Sequence, residues 1–440
     1  MPQLRSGWLT IFPGGRWFLQ IPRRNQHTLR GQKKLYSILG PFDTPKRVYI
    51  GLPKRQPGRV RTRINWKTVN DNLKLGPLIG ILTVGNGQHF LGNRENFKDI
   101  ALAGQKLGAL VYVFTPQSIN WDKKSIRGFL YDEQQDQWLE AVLPFPHVVY
   151  NRIPSRKAEK RPDVQETLNQ IDSLQNVTLF NRCFFDKQKL FQTLSDYTEV
   201  TPFLPETKKL DSLQRFRLFC NQHHFVYLKP VLGKAGEGIM RVEHKKDYWL
   251  VQRLKEQKAV TRQFSTLDGV WRYVKGHTKG KRYIMQQGIQ RALYMKKPFD
   301  VRILVQKNGK GEWGVTGIGI RRAGIQSITT HVPRGGSIHS VGTVLRAIFK
   351  DDAAKIESRI KETALTVASA LNDAIEGLAE MSMDMGLTRE GRLWLFEANA
   401  KPEKFDEPTI RRTSLSNLIH YSQYVSRLQS DRELASGSLG

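Results

Sequence analysis

The sequence predicts a protein of several domains, of mixed α/β and α+β class, and three observations support this. The 440 residues exceed the usual length of one domain. The segment 1–70 contains short apolar runs separated by Gly, Pro and Asn, a pattern typical of short strands and tight turns. Beyond it, continuous apolar runs alternate with helical segments, and 21 Phe, 13 Tyr and 9 Trp residues can fill sizeable cores.

Residues 1–74 are predicted to form a basic β-rich N-terminal module. The segment 1–70 has fifteen Lys and Arg residues against one acid, Asp43. Six aromatic residues interleave with these cations: Trp8, Trp17, Phe18, Tyr36, Tyr49 and Trp66. The aromatic side chains either fill the core of a small β module or form a face that stacks nucleic-acid bases beside neutralised phosphates.

Residues 75–182 are predicted to form a small open α/β domain. An apolar run at 77–84 ends in glycines, and a helical stretch near 93–107 leads to a second apolar run at 108–114. Shorter strand candidates follow at 148–150 and 177–180. Continuous apolar runs joined by helices are typical of parallel strands that are buried on both faces.

Residues 183–425 mix strands with helices, and the clearest helix prediction covers 351–378. Its apolar residues recur at steps of three and four, as on the core-facing side of a helix. The stripe comprises Ala353, Ile356, Ile360, Ala364, Val367, Leu371, Ile375 and Leu378. Residues 426–440 are predicted to be a flexible tail.

Composition narrows the functional classes. A formal net charge of +30 attracts polyanions, such as nucleic acid, anionic polymers or acidic peptides. No apolar run is long enough for a transmembrane helix, and the N-terminus lacks the apolar segment of a secretory signal. Two cysteines, Cys183 and Cys220, are too few for a disulfide framework or a four-cysteine zinc site. We therefore expect synthesis in a reducing cytoplasm.

A lysine and a glycine-rich turn lie together within 226–240. Lys229 is near the end of an apolar strand, and Gly233, Gly236 and Gly238 follow before a second apolar stretch. Glycines let backbone N–H groups approach a phosphate, and a lysine can neutralise its charge. The spacing is not that of a P-loop, so a plain hairpin remains the alternative.

Charged side chains also stand in two later pairs of apolar strands. The period of two in a strand places Asp300 and Arg302 on one face of 299–306. Glu397 and Asn399 likewise share a face, and a turn near 388–391 brings their strand beside that of Asp384. Two carboxylates and an amide are hard oxygen ligands that suit Mg²⁺, and a bound cation would explain carboxylates in such apolar strands.

In this order and spacing, the segments resemble an ATP-grasp domain, and specifically the YheC/YheD family of endospore coat-associated proteins. The resemblance covers about residues 77–424 and is strongest at 181–187, 283–289, 298–306 and 384–402. It implies an ATP-grasp fold, in which two α+β subdomains clasp ATP. A small α/β pre-ATP-grasp domain and the β-rich module would precede that fold.

The resemblance also implies a chemistry: ATP-dependent ligation of a carboxylate to an amine through an acyl-phosphate, with ATP and Mg²⁺ as cofactors. By motif position, Lys187 and Lys229 would contact ATP phosphates, together with the glycine-rich loop. Gln287 and Gly288 would meet the adenine through their backbone, with Ile289 nearby. The remaining motif positions assign Asp300 to the ribose, Arg302 to the transferring phosphate, and Asp384, Glu397 and Asn399 to the metal.

Two other interpretations of the protein's function remain open at this point. The first is a structural spore-coat protein, or a binder of an anionic polymer, that retains the fold without turnover. The second is a nucleic-acid-binding protein acting through 1–70. The carboxylate and amine substrates are unknown, although the basic charge favours an acidic one. Other spore-coat proteins would be the partners of a coat-associated chain.

Overall fold

The computed structural model describes residues 4–12, 14–22, 34–52, 59–69, 72–86, 89–231, 238–255, 258–278, 280–322 and 337–428. Strands in these ranges form a closed barrel, a mixed α/β sheet and two antiparallel sheets, in that order along the chain. This arrangement confirms the predicted fold class. None of the described helices is both long enough and apolar enough to cross a membrane.

A six-stranded barrel forms the N-terminal part. Its strands are β1 (Arg5–Ile11), β2 (Trp17–Gln20), β3 (Lys34–Leu39), β4 (Thr44–Ile50), β5 (Val60–Val69) and β6 (Asn72–Gly76). They are ordered β1-β2-β4-β3-β6-β5, and antiparallel pairing of β1 with β5 closes the barrel. Trp17 and Trp66 are buried in its core, whereas Trp8 is 38% exposed beneath the Arg61 guanidinium. The interpretation that the aromatic residues fill the core is therefore correct for Trp17 and Trp66 but not for Trp8.

A mixed sheet follows, built from the predicted parallel strands and an antiparallel extension. Its elements are β7 (Leu78–Leu82), α1 (Arg94–Leu107), β8 (Leu110–Phe114), β9 (Ile119–Asn120), β10 (Ser125–Asp132), β11 (Gln137–Pro144), β12 (Val148–Asn151), α2 (Arg156–Glu159), α3 (Pro162–Asp172) and β13 (Thr178–Phe180). The order is β11-β10-β8-β7-β12-β13, with β8, β7, β12 and β13 parallel. Side chains of this sheet and of the barrel form one continuous core.

The first antiparallel sheet has a core of its own. Its region contains α4 (Lys187–Ser195), β14 (Thr207–Lys209), α5 (Leu213–Gln222), β15 (Phe225–Pro230), β16 (Met240–His244), β17 (Trp249–Lys255), β18 (Lys258–Phe264), α6 (Leu267–Thr278) and β19 (Tyr283–Gln287). The strands are ordered β14-β19-β15-β16-β17-β18. Phe216 of α5 and Val270 of α6 pack on this sheet in a cluster whose described members all lie between residues 210 and 285.

The second antiparallel sheet contains the predicted charged strands. Its region comprises β20 (Leu293–Tyr294), β21 (Lys297–Lys307), β22 (Trp313–Arg322), β23 (Ser337–Ser340), α7 (Val341–Phe349), α8 (Ala353–Ala374), β24 (Glu380–Leu387), β25 (Leu393–Asn399) and α9 (Pro408–Val425). The order is β23-β22-β21-β24-β25. The predicted apolar stripe is buried from Ala353 to Leu371, but the helix ends at Ala374, where Ile375 is extended and Gly377 has φ +71°.

Buried polar contacts join the mixed sheet to the second antiparallel sheet. The Tyr150 hydroxyl of β12 donates to Glu380 Oε1 on β24, while Glu380 Oε2 accepts from Gln306 Nε2 of the same sheet at 3.0 Å. Asn181 Nδ2 donates to the Glu380 carbonyl oxygen at 3.2 Å. Burial raises the pKa of the Glu380 carboxyl, which is 4% exposed. The bonds from Tyr150 and Asn181 fix the relative position of the two sheets and hence the shape of the cleft between them.

Candidate functional site

A row of charged side chains crosses the second antiparallel sheet. Strand register places Arg302 opposite Asp384, and Asp384 opposite Glu397. Antiparallel partners share a face, so all three side chains stand on one side of the sheet. Asn399, opposite Ser382, extends the row along β25. The structure therefore brings together Arg302 and the three predicted metal ligands.

A β-bulge lies beside this row. Asp384 pairs with Glu397, but the next residue, Met385, pairs with Leu395, so Phe396 is the extra residue of β25. Bulges re-aim side chains and are frequent next to functional sites. Here the bulge directs the Phe396 ring towards two cations, Lys229 at 5.7 Å and Arg291 at 6.0 Å from the ring centroid.

Arg302 is the buried cation of the row. It is 7% exposed, and its Nη1 donates to Asp384 Oδ2 at 2.7 Å. Burial lowers the pKa of Arg302, but the charges of Asp384 and Glu397 outweigh burial and raise the pKa overall. Its Nε has no hydrogen-bond partner among the described residues. Leaving a buried donor unbonded costs about 1–3 kcal/mol, so a ligand oxygen at this point would be favourable.

The donor set suits Mg²⁺ better than a softer metal. Asp384, Glu397 and Asn399 offer two carboxylates and an amide oxygen, and Mg²⁺ is usually held by one or two carboxylates together with substrate phosphates and water. Within the described ranges, no group of three or more His, Cys, Asp or Glu side chains is placed to hold a metal. A metal at this row would therefore take its remaining ligands from a phosphate or from water.

A cleft of about 640 Å³ opens over the row. It lies beyond the carboxyl ends of β7 and β12, neighbouring parallel strands whose following connections lead to opposite sides of the sheet. Ligands of open α/β sheets bind at this kind of crevice. The lining residues are Gly92, Asn93, Phe97, Arg152, Ile153, Pro154, Ser155, Arg156, Lys157, Phe184, Arg302, Arg321, Asp384, Glu397, Asn399, Lys401 and Glu403.

Lys229 and Asp300 stand on different antiparallel sheets, on β15 and β21. Lys229, on β15, donates from Nζ to the Gln286 side-chain oxygen. Asp300, on β21, accepts from Arg291 Nη1 at 2.5 Å. Lys229 and Arg291, the partner of Asp300, both approach the Phe396 ring, so the predicted phosphate contact and the predicted ribose contact are grouped around one aromatic residue.

The predicted adenine segment has two amides already engaged. The Gln287 N–H donates to the Glu206 carbonyl at 2.8 Å, and the Gly288 N–H donates to the Phe225 carbonyl at 2.9 Å. A Cβ at Gly288 would lie 2.1 Å from the Phe225 ring, so only glycine fits there. Backbone contacts to a purine would therefore use the carbonyl oxygens of these residues or the amide of Ile289, whose side chain is 7% exposed.

The glycine-rich loop is described only in part. Gly238 has φ +72°, and its carbonyl accepts from the Tyr283 hydroxyl at 3.1 Å. Gly233 and Gly236 lie outside the described residues. Lys187 begins α4, but its side chain also lies outside the described part of the chain. The assignment of these residues to ATP phosphates stays a prediction.

Sequence reasoning missed four cations that line the cleft, three on the wall opposite the row and one, Arg321, on the sheet of the row itself. Arg152, Arg156 and Lys157 follow directly after β12, and Arg321 stands on β22. Burial, followed by the charge of Arg302, lowers the pKa of Arg321. The signal for the first three was present, because the strand ending at Tyr150 was predicted and residues after parallel strands commonly bind ligands. What was lacking was the knowledge that β12 lies beside β7.

The chain is similar to known proteins along most of its length. The family model described as YheC/D-like ATP-grasp matches residues 176–425. The endospore coat-associated protein YheD of Bacillus subtilis (strain 168) is 31% identical over 382 residues, which cover 84% of this chain and 82% of that protein. YheC of the same organism is 21% identical over 305 residues, covering 69% of this chain and 84% of that protein.

Among solved structures, the VanG D-Ala:D-Ser ligase from Enterococcus faecalis aligns with a TM-score of 0.46 at 14% identity, covering 80% of this chain and 99% of that one. The family match is independent of this structural likeness. Because the family model spans more than half of the chain and YheD is similar along most of it, the chain belongs to the YheC/D-like ATP-grasp family.

Proposed function

We propose that this protein uses Mg-ATP to join a carboxylate to an amine through an acyl-phosphate. The observation that carries the proposal is the row of Arg302, Asp384, Glu397 and Asn399 on one sheet, with Lys229 on the facing sheet. The row offers the oxygen ligands of a metal beside a buried cation with an unbonded N–H group. Phosphoryl transfer needs mainly positioning and charge neutralisation, and these residues supply both.

The proposed reaction has two steps. A carboxylate oxygen of the acceptor attacks the γ-phosphorus, the bond to the β–γ bridging oxygen breaks, and ADP leaves with the electron pair. The amine nitrogen then attacks the acyl carbon, the bond from that carbon to the phosphate oxygen breaks, and the nitrogen loses a proton. The products are the amide, ADP and inorganic phosphate.

Each residue has a part in this scheme. Arg302 neutralises the transferring phosphoryl group, and Lys229 contacts the phosphates from the facing sheet. Mg²⁺, held by Asp384, Glu397 and Asn399, would offset the charge of the ATP phosphates. Asp300 would contact the ribose, beside its ion pair with Arg291. Removing the positive charge of Arg302 or of Lys229 would leave negative charge of the phosphates uncompensated in a partly buried site.

The first test is the thermal unfolding midpoint with ATP, with and without Mg²⁺. Ligand at a hundred times its dissociation constant stabilises a protein by about 2.7 kcal/mol. We expect a shift that requires Mg²⁺ in the wild type and is lost in Lys229→Ala and in Glu397→Gln. Lys355→Ala, which removes an exposed lysine from α8, is the control and should keep the full shift. A shift that survives in both site variants would refute the assignment.

We also propose association with the endospore coat, because YheD and YheC are both named as endospore coat-associated proteins. The alternative is a coat or polyanion-binding protein that keeps the fold without turnover. The exposed Trp8–Arg61 pair on the barrel favours that alternative, since aromatic and cationic groups together bind anionic polymers. Fractionation would show the chain in the coat in either case. ADP release above the ATP-only rate when carboxylates and amines are added would favour the ligase.

A further inference from the structure

We call the row of Arg302, Asp384, Glu397 and Asn399 the metal row. The cleft over it is lined by more positive than negative side chains. Six cationic side chains line it, against the three carboxylates of Asp384, Glu397 and Glu403. The cations are Arg152, Arg156, Lys157, Arg302, Arg321 and Lys401. Two of the carboxylates belong to the proposed metal site, where Mg²⁺ would offset them. The cleft would therefore remain cationic when its metal ligands are occupied.

Two of the six cations are already neutralised by protein. Lys401 forms a buried ion pair with Glu159, and Arg302 pairs with Asp384. Arg152 has partial compensation, since its Nη1 lies 3.7 Å from Glu380 Oε1, beyond hydrogen-bond distance.

Arg156, Lys157 and Arg321 form no ion pair with any carboxylate of the described residues. Carboxylates of Asp384, Glu407 and Asp406 act on Arg321 from a longer distance, so Arg156 and Lys157 supply most of the uncompensated charge of the cleft.

Arg156 is fixed by contacts with protein and still has an N–H group without a hydrogen-bond partner among the described residues. Its Nη2 donates to the Phe185 carbonyl at 2.9 Å, and its guanidinium lies 5.2 Å from the centre of the Phe184 ring. Its Nε is buried and has no hydrogen-bond partner among the described residues. Arg152 is similar, because Nη2 donates to the Pro402 carbonyl at 3.0 Å and Nη1 is unbonded. Guanidinium groups with unbonded donors are well suited to bind carboxylates.

These cations stand on the wall that follows β12, whereas the reacting groups stand on the second antiparallel sheet. A small acceptor with a single carboxylate would place that group at the metal row and leave the β12 wall unoccupied. A volume of about 640 Å³ lies within the range of roughly 300–1,000 Å³ that encloses drug-sized ligands. A short peptide with several carboxylates could reach both walls at once.

We propose that the acceptor is an acidic peptide, with one carboxylate at the metal row and a further carboxylate bound by Arg156 and Lys157. This inference rests on the proposed function, which makes the reacting group a carboxylate. It adds the substrate class and two specificity-determining residues. The acceptor would be selected by its second negative charge, and a neutral peptide of the same length would be rejected because these cations would stay unpaired.

The test uses the full chain and tri-L-glutamate, with tri-L-glutamine as the neutral peptide of equal length. Binding is measured by calorimetry without nucleotide, at low and at moderate salt. We expect tri-L-glutamate to bind, to weaken with salt, and to exceed tri-L-glutamine by at least about tenfold in affinity. Arg156→Gln should weaken tri-L-glutamate binding about tenfold or more, and Lys157→Gln about threefold.

Lys160→Gln is the matched control, because it removes an exposed lysine just after α2 that does not line the cleft. It should leave the affinity unchanged. Lys157 is itself exposed, so Lys157→Gln keeps the test valid if Arg156→Gln fails to fold. Equal loss in Lys157→Gln and Lys160→Gln would mean attraction by overall charge alone, and would overturn the proposal.

Three further outcomes separate this inference from the proposed function. Failure of tri-L-glutamate to bind, with the Mg-ATP shift intact, overturns the acceptor class alone. Binding of tri-L-glutamate without any Mg-ATP shift overturns the ligase and leaves an acidic-peptide site. Tripolyphosphate that binds more tightly than tri-L-glutamate, with the same sensitivity to Lys157→Gln, would make the wall a phosphate site and refute a peptide acceptor.

Discussion

His147 lies where the barrel meets the mixed sheet, with its ring 3.0 Å from the position of a Cβ at Gly76 of β6, and we expect it to make folding sensitive to acid. It is 6% exposed, and its Nδ1 accepts a hydrogen bond from the Leu78 N–H at 3.1 Å. The neutral ring therefore carries its proton on Nε2, which has no partner among the described residues. Protonating Nδ1 would set two N–H groups against each other at the first residue of β7. Burial, followed by the charge of Lys74, lowers the pKa of His147 from 6.5 to about 3.

The direction and size of the effect follow from linkage. Between pH 6.5 and about 3 the unfolded chain binds a proton at His147 that the folded chain does not, so stability falls as the pH falls through this window. With these two pKa values, the free energy of unfolding should decrease by about 3 kcal/mol between pH 7 and pH 4 through this residue alone. At full protonation of both states the loss approaches about 5 kcal/mol.

His147→Asn isolates this contribution. The Asn side-chain oxygen can accept from the Leu78 N–H, but the side chain does not titrate. We expect urea unfolding to show a fixed destabilisation of the variant at pH 7, from lost ring contacts, and a gap that closes or reverses at pH 4. Other titrating groups cancel in the difference between the two proteins. A wild-type-to-variant difference that stays constant from pH 7 to pH 4 would refute the neutral-histidine reasoning.

Two further substitutions test the site and its support. Gly386→Ala places a Cβ 2.2 Å from the Phe396 ring and should cost about 1–3 kcal/mol and weaken the Mg-ATP thermal shift, whereas Gly314→Ala, with 4.0 Å to its nearest neighbour, should change neither. If Mg-ATP shifts the unfolding midpoint equally in both variants, the Phe396 ring has no part in nucleotide binding. Glu159→Gln strips the buried partner from Lys401, whose pKa burial already lowers to about 8, and should destabilise the protein by about 3 kcal/mol at pH 7. The loss should shrink at pH 9, where the lysine is neutral, and a loss independent of pH would count against this account.

Local patterns account for the parts of the fold that were predicted correctly. The buried parallel strands β7, β8, β12 and β13 were visible as continuous apolar runs, and α8 as an apolar stripe with helical spacing. Barrel closure could not be predicted in the same way, because β1 pairs with β5 some fifty residues away. Alternation of side chains fixes which face is buried but not which distant strand is the partner.

In the candidate site too, local contacts could be predicted from the sequence and contacts between distant segments could not. Asp384, Glu397 and Asn399 could be placed together from sequence, since a turn joins their strands and the period of two sets their face. The role of Arg156 depends on the adjacency of β7 and β12, whose pairing spans nearly seventy residues. Its interaction with the Phe185 carbonyl also comes from a separate part of the chain. Residue types alone predict neither the pairing of β7 with β12 nor the hydrogen bond from Arg156 to Phe185.

The distribution of hydrophobic cores has a consequence for how the cleft works. The barrel and the mixed sheet share one core, and another cluster joins Phe180 of the mixed sheet to Ala379, just before β24, and to Ile419 of α9. The strands of the metal row pack in a further cluster of their own, and buried hydrogen bonds from Tyr150 and Asn181 to Glu380 tie their sheet to the mixed sheet that carries Arg152, Arg156 and Lys157. The first antiparallel sheet, which carries Lys229, has a separate core. Movement of that sheet towards the row would leave every other core intact. In the proposed function, movement of that sheet onto the ATP phosphates would leave the platform that positions the acceptor packed.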